Sequence, residues 1–331
     1  MNPQDGMNPN AGYPEADLAK AAALIAGAGL VALACHVAPD GDALGSMLAL
    51  HHVLRSAGRP SVAAFAGPQV VGDHYRELPG LDALTAPEKF PAEPEVMVTL
   101  DCGSIDRLGG LAESARAAKE LVVIDHHVSN TRFGSLHLVD AGAAASAVVT
   151  ARLIATLGLP LNHDAAVCLY AGLVCDTGRF QYESTGVEAF DLARRLLDFD
   201  VPIARLNRTL FDEHRLPYLR LVGEILGRAE LVAAKRLIWV AVTQDDLGRY
   251  GVSFEETEGL IDFIRQAREA EVSCVLKEAA DGTFRVSLRS LGAVDVSAVA
   301  ARHGGGGHRF AAGFTSAGPV EAVVERILAD L

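Results

Sequence analysis

Four short stretches carry side chains that could hold cations: His36, Asp40 and Asp42 in "HVAPDGDALGS", Asp101 in "VTLDCGS", His126 and His127 in "IDHHVSN", and Asp176 in "LVCDTGRF". Each has a plain alternative. Asp42 could cap the helix that follows it, His36 could be a satisfied polar residue, and Asp101 could open a turn. Two adjacent imidazoles after an apolar run are harder to explain in that way. A carboxylate at Asp176, ending an apolar helix, is costly unless something compensates it. Together, His36, Asp40, Asp42, Asp101, His126 and Asp176 offer two imidazoles and four carboxylates. Such an oxygen-rich set suits Mn²⁺ or Mg²⁺ and brings no thiolate for zinc. Four carboxylates gathered at one place repel one another unless cations lie among them. One divalent ion leaves excess charge and two balance it, so the set points to a two-metal site. The chemistry of such a pair is in-line displacement at phosphorus, with hydroxide available near neutral pH.

The elements that must position these residues follow from periodicity. "GLVALACH", "SVAAFAG", "PEVMVTLDCGS" and "ELVVIDHHVSN" are nearly continuous apolar runs, alternating with helical patterns such as "DALGSMLALHHVLRSAG". That alternation indicates a parallel sheet covered on both faces, and ligands of such sheets sit beyond the carboxyl ends of the strands. "AAASAVVTARLIATLG" and "DAAVCLYAGLVCDTGRF" are helical, and the stretch from Gly186 to Leu226 reads as helical, broken near Pro202 and Pro217. From about Arg236 the pattern changes to the strands "RLIWVAVT", "EVSCVLKEA" and "TFRVSLRS", with helices between and after them. The expected fold is α/β in two domains: a tail over 1–16, a parallel-sheet domain over 17–195, a helical linker over 196–225 and a smaller α/β domain over 226–331.

Composition bounds the function. With 331 residues, half of them apolar, and 42 acidic against 29 basic side chains, this is a globular chain with formal net charge −13. That balance disfavours coating of long duplex nucleic acid but allows a short anionic substrate at one local site. Five scattered cysteines without a CxxC fit a reduced, cytoplasmic protein. The longest apolar run, ending at Cys35, is too short and too rich in Ala and Gly for a membrane span. A homodimer is compatible with the sequence.

The stretches "HVAPDGDALGS", "DCGS", "DHH" and "CDTG", in that order, resemble the motifs of the DHH phosphoesterase family, the triplet itself being residues 125–127. The C-terminal "SLRS" and "GGGGHRFAAG" resemble the DHH-associated domain of its nanoRNase and pAp-phosphatase branch. The resemblance implies His36, Asp40 and Asp101 at one metal, with Asp42, Asp101, His126 and Asp176 at the other. Asp101 would be the bridge. It implies that Asp125 orients an imidazole, and that His127 faces the scissile phosphate, stabilising it or protonating the leaving oxygen. It also implies a C-terminal domain binding nucleotide across a cleft facing the metals, through Arg289, Ser290, Gly306 and His308.

Read from the residues alone, "RHGGGGHRF" is either a flexible hinge or a loop whose amides approach an anion. The flanking His303, His308 and Arg309, with Arg289 at a strand end, favour the anion, since a guanidinium fork suits a terminal phosphate. His51 and His52, mid-helix, are expected on a solvated face. Cys35, Cys102 and Cys175 are expected as small packing groups beside ligands, and Asp140 either supports the metal site or caps the next helix. The expected activity is divalent-cation-dependent hydrolysis of very short RNA from an end and dephosphorylation of pAp, with Mn²⁺ the first choice and Mg²⁺ the second. Cyclic di-AMP or pApA hydrolysis is the alternative. A pyrophosphatase or exopolyphosphatase, a RecJ-like exonuclease and a non-catalytic nucleotide sensor fit less well.

Overall fold

The computed structural model describes residues 12–67 and 71–331. Of the tail expected over 1–16, residues 1–11 lie outside this range, while Tyr13 is buried and the first helix, α1, spans Glu15–Gly27. The chain divides into two compact units, the first ending at Leu210 and the second beginning at Phe211.

The first unit is built on five parallel strands, β1 (Val31–Cys35), β2 (Ser61–Ala64), β3 (Val96–Leu100), β4 (Glu120–Asp125) and β5 (Leu136–Val139), in the order β2-β1-β3-β4-β5. β1 and β3 are buried at every position, as their unbroken apolar character requires. β5, "LHLV", is too short and too mixed to stand out as a strand; β4 defines it by pairing. The order reverses between β1 and β3, the place where sheets of this kind open a crevice at their carboxyl ends. Helices α2 (Gly41–Ser56), α3 (Ala112–Ala117), α4 (Ser146–Thr156), α5 (His163–Asp176), α6 (Val187–Leu196) and α7 (Ile203–Asn207) complete the unit. A Cβ on Gly45 would lie 2.4 Å from the Cys168 carbonyl oxygen, so only glycine lets α2 and α5 pack this closely.

The second unit carries a mixed six-stranded sheet of order β10-β11-β9-β8-β7-β6, formed by β6 (Glu230–Val232), β7 (Leu237–Val242), β8 (Val272–Glu278), β9 (Phe284–Ser290), β10 (Gly306–His308) and β11 (Ala311–Ser316). Only β7 and β8 run parallel. Its helices are α8 (Leu216–Gly227), α9 (Gln244–Tyr250), α10 (Leu260–Ile264), α11 (Val296–Arg302) and α12 (Val320–Asp330). One sheet face packs Cys274, Leu276, Val286 and Leu288 against Val299 of α11 and Val323 and Ile327 of α12. The other packs Val240, Val242 and Val275 against Tyr218 and Ile225 of α8 and Ile261 of α10. Thus the second half of the stretch expected as a linker belongs to this core. Pro217 does not break α8 but stands in its first turn, where no amide donor is needed.

The fold decides three local points that the sequence raises. Asp40, not Asp42, caps α2, its Oδ1 accepting from the amides of Asp42 and Ala43. His51 and His52 are not on a solvated face. His51 is buried with its Nδ1 2.9 Å from the Ser61 hydroxyl, and His52 Nε2 lies 2.9 Å from the Pro79 carbonyl. The reason is that α2 is buried on nearly every side. Gly306 and Gly307 of the glycine run form, with His308, the edge strand β10, which removes the hinge alternative. Added Cβ atoms at Gly305 and Gly307 would lie 2.1 Å from the Gly313 carbonyl and 2.5 Å from the Ala311 carbonyl, so glycine is what lets this segment lie against β11.

Candidate metal centre

Four proposed ligands of the first unit stand where an apolar element stops. His36 follows β1, Asp101 follows β3, His126 follows β4, and Asp176 ends α5. Asp40 and Asp42 lie at the N-terminus of α2, where aligned backbone amides favour carboxylates. Three overlapping groups result, within each of which the ligand atoms lie no more than 4.8 Å apart: His36, Asp40 and Asp101; Asp42, His126 and Asp176; and Asp101, His126 and His127. His36 Nε2 is 3.5 Å from Asp101 Oδ2 and 3.8 Å from Asp40 Oδ2. On the other side, His126 Nε2 is 3.6 Å from Asp101 Oδ1, 3.8 Å from Asp42 Oδ2 and 2.9 Å from Asp176 Oδ2. Asp101 therefore turns one oxygen toward each group. It does so from a left-handed backbone conformation, φ +56°, which a side chain other than glycine adopts only under constraint.

The surroundings fix these carboxylates. Asp42 is fully buried, and its Oδ1 accepts from the Ser46 hydroxyl at 3.1 Å and the Ala147 amide at 2.9 Å, its Oδ2 from the Ser146 amide at 2.6 Å. The Ser146 hydroxyl donates to Asp101 Oδ1 at 2.9 Å. The N-terminus of α4 thus holds both Asp42 and Asp101, across more than forty residues of sequence in the nearer case. Asp125 is buried between His127 Nδ1, at 2.7 Å from its Oδ1, and the Asn130 side-chain amide, at 2.5 Å from its Oδ2. Ser146 and Asn130 are the residues a reading of the sequence misses. A serine opening the apolar helix "SAVVTARLIAT" is the one local signal, and nothing local marks Asn130.

The electrostatics are those of crowded like charges. Burial, reinforced by Asp101, pushes the Asp42 carboxyl well above the usual carboxylate range, and burial also raises Asp176. Burial opposes ionisation of Asp101 too, but His36, His127 and His126 around it hold its carboxyl well below that range. Burial works against the His36 imidazolium, yet Asp101 and Asp40 outweigh it and raise its pKa to about 10. For His127, Asp125 and Asp101 likewise outweigh burial. Protons on imidazoles here stand in for positive charge among carboxylates. The donor set of oxygens and two imidazoles fits divalent cations in their place.

The remaining expected residues separate by role. Cys35 and Cys102 are buried packing groups, burial pushing the Cys102 thiol up to about 12. Asp140 neither supports a ligand directly nor caps α4. It accepts from Arg152 Nη1 at 2.6 Å and from the Gly142 amide at 3.0 Å, in a buried network with Glu188 and Tyr13.

In the second unit, Arg289 and Ser290 end β9. The Ser290 hydroxyl donates to Glu271 Oε1 at 3.1 Å and accepts from the Gly292 amide. Arg289 gives Nη1 to the Leu288 carbonyl at 3.0 Å, while its buried Nε has no hydrogen-bond partner among the described residues. A side chain on Gly306 would meet nothing within 4 Å, so its face is open. The His308 backbone pairs with Ala311, which in turn pairs with Arg289. His303 is drawn elsewhere, its Nε2 2.9 Å from Asp330 Oδ2 and its ring stacked on Phe314.

Comparison with known proteins places this arrangement. Residues 30–173 match the DHH family, N-terminal domain, and residues 232–331 match the DHHA1 domain. The bifunctional oligoribonuclease and PAP phosphatase NrnA of Thermus thermophilus is 33% identical over 98% of this chain and 96% of its own. The protein of the same name from Bacillus subtilis is 29% identical over 89% of this chain and 91% of its own. An exopolyphosphatase-related protein from Bacteroides fragilis has the same fold, with a TM-score of 0.87 at 24% identity and 96% of each chain covered. Among the described residues no helix is long and apolar enough to cross a membrane. With these domain matches and a relative one-third identical over nearly the whole of both chains, the chain belongs to the DHH family.

Proposed function

We propose that this protein is a phosphoesterase that hydrolyses short oligoribonucleotides from an end and dephosphorylates 3′-phosphoadenosine 5′-phosphate. The observation that carries the reading is Asp101, which offers one carboxylate oxygen to the His36–Asp40 side and the other to the His126 side. In this reading His36, Asp40 and Asp101 hold one divalent cation, and Asp42, Asp101, His126 and Asp176 hold a second. Mn²⁺ is preferred over Mg²⁺ because two of the donors are imidazoles. When bound, such cations neutralise phosphate charge and make water acidic enough to attack phosphorus. The chain's own residues do the rest. Asp125 lies 2.7 Å from His127 Nδ1 and, with Asp101, raises the imidazole's pKa against the effect of burial. With Nδ1 engaged, Nε2 is the atom that delivers the proton to the leaving oxygen. Arg289, Ser290, Gly306 and His308 supply the nucleotide contacts, the buried Nε of Arg289 being a donor in want of an acceptor. The names of the relatives support the choice of substrates.

The test is to incubate the purified protein and Mn²⁺ with pAp, a ribodinucleotide, cyclic di-AMP and pyrophosphate in parallel. Turnover of pAp and the dinucleotide is expected. Pyrophosphate as the best substrate would overturn the reading, and inertness toward all four would make the protein a binder rather than a hydrolase.

A further inference from the structure

Arg107 stands at the edge of the metal centre with no carboxylate of its own. It lies in the 3₁₀ segment Ile105–Leu111 that follows β3, fixed by the buried Leu108 and Leu111. The backbone beneath it is pinned, since the Val37 amide donates to the Arg107 carbonyl at 2.8 Å and the Arg107 amide donates to the Ser104 carbonyl at 3.1 Å. Its neighbour Asp106 faces Arg116 instead. Among the described residues Arg107 makes no ion pair. Its guanidinium Nη2 lies 3.1 Å from His36 Nδ1, and that nitrogen is also 2.9 Å from the Val37 carbonyl oxygen.

These two contacts at Nδ1 exclude each other. Arg107 can donate only to a bare Nδ1, whereas the Val37 carbonyl can accept only from a protonated one. Arg107 and the Val37 carbonyl thus compete for one ring nitrogen, and the exposed Arg107 side chain, on a backbone held by hydrogen bonds at its amide and its carbonyl, has no other hydrogen-bond acceptor among the described residues. A solvent-exposed guanidinium held beside a phosphoryl-transfer site has one natural partner, a phosphoryl oxygen, which its planar fork suits better than any ammonium would.

We propose that Arg107 is a phosphate-contacting residue of this site, its guanidinium reaching a non-bridging phosphoryl oxygen of the substrate. The proposal rests on the assignment of His36 as a ligand and extends it to a residue outside the ligand set. It gives the first unit its own grip on the scissile phosphate, independent of the nucleotide contacts of the second.

The experiment compares the wild type with Arg107→Ala by two titrations. Calorimetric titration with Mn²⁺ should give the same stoichiometry and an affinity within about threefold, because Arg107 is not a ligand. Titration of the Mn²⁺-loaded proteins with inorganic phosphate should show binding weakened by roughly 10- to 100-fold in the variant, the range of a lost charge-assisted hydrogen bond. Equal phosphate affinity in the two proteins would overturn the proposal. So would a loss of Mn²⁺ affinity that parallels the loss of phosphate affinity, which would make Arg107 merely a prop for His36. Neither titration depends on which nucleotide is cleaved. Failure of the wild type to turn over pAp or a dinucleotide would therefore count against the proposed function and not against this residue.

Discussion

The two units solve the problem of presenting polar groups from a sheet in opposite ways. The first unit builds its sheet from largely apolar strands and places every proposed ligand at or just beyond a strand or helix end, so that packing and chemistry fall mostly on different residues. The second unit puts its expected substrate residues on and beside paired strands, where Ser290 and Arg289 also serve the local structure through Glu271 and Leu288. Strand ends gather many charges into a small volume and demand that something neutralise them. A sheet edge spreads its polar groups out and can satisfy them internally. The first arrangement is suited to chemistry at one point, the second to holding an extended ligand.

That contrast can be broken most directly at Asp101. Asp101→Asn keeps the shape but removes the charge shared by both donor groups, and turnover should fall at least ~10³-fold for every phosphoester, since the loss falls on the chemical step. Retention of a tenth of the activity, measured on pAp and on bis-p-nitrophenyl phosphate, would end the bridging assignment. Ser146→Ala should come next. Its hydroxyl orients Asp101 from outside the ligand set, and loss of such support weakens metal affinity by roughly 10- to 100-fold. A Mn²⁺ titration in which the variant matched the wild type would show that the N-terminus of α4 holds Asp42 and Asp101 without help from the hydroxyl.

Arg289→Ala is the counterpart in the second unit. It should lower kcat/KM for nucleotides by about tenfold or more through KM, while bis-p-nitrophenyl phosphate turnover stays unchanged. An equal effect on both substrates would erase the division of labour between the units. The smallest effect is on stability alone. Burial pushes the His51 imidazole down to about 4, with His52 and Arg55 adding to the shift. In the unfolded chain it titrates near 6.5, so between these values the unfolded state binds the extra proton. The contribution of neutral His51 is present above about pH 6.5 and is lost as pH falls toward about 4, on the order of 3 kcal/mol in all and about 2 kcal/mol of it by pH 5. Urea unfolding of Mn²⁺-loaded wild type at pH 7 and pH 5 should show this loss, and His51→Gln should show less of it. Identical pH dependence in the two proteins would mean that His51 is not the group responsible.

How much of this was legible before folding differs between the units for the same reason. Four candidate ligands of the first unit, His36, Asp101, His126 and Asp176, follow or end apolar runs, so hydrophobic periodicity alone puts His36, Asp101 and His126 at strand ends. The parallel-sheet rule then brings those ends to one edge. In the second unit β7, β8 and β9 were readable from their β-branched and apolar content. β10 and β11 were not, because glycine and alanine carry no strand signal and the pairing with β9 creates them. His51 and His52 misled because the four-residue polar–apolar rhythm that marks a solvated helix face is absent from a helix buried all round.

The sequence by itself determined which residues are candidate ligands and their order, the two-unit α/β class and the crowding of four carboxylates that calls for cations, since these depend on residue type and local period. Tertiary structure decided which oxygen of Asp101 faces which partners, that Asp40 rather than Asp42 caps α2, and that Ser146, Asn130 and Arg107 stand around the site. A hydrogen bond from Ser146 to Asp42 spans 104 positions of the chain. No local propensity encodes such a bond. It forms because a buried carboxylate must find donors, and packing alone determines which ones come within reach.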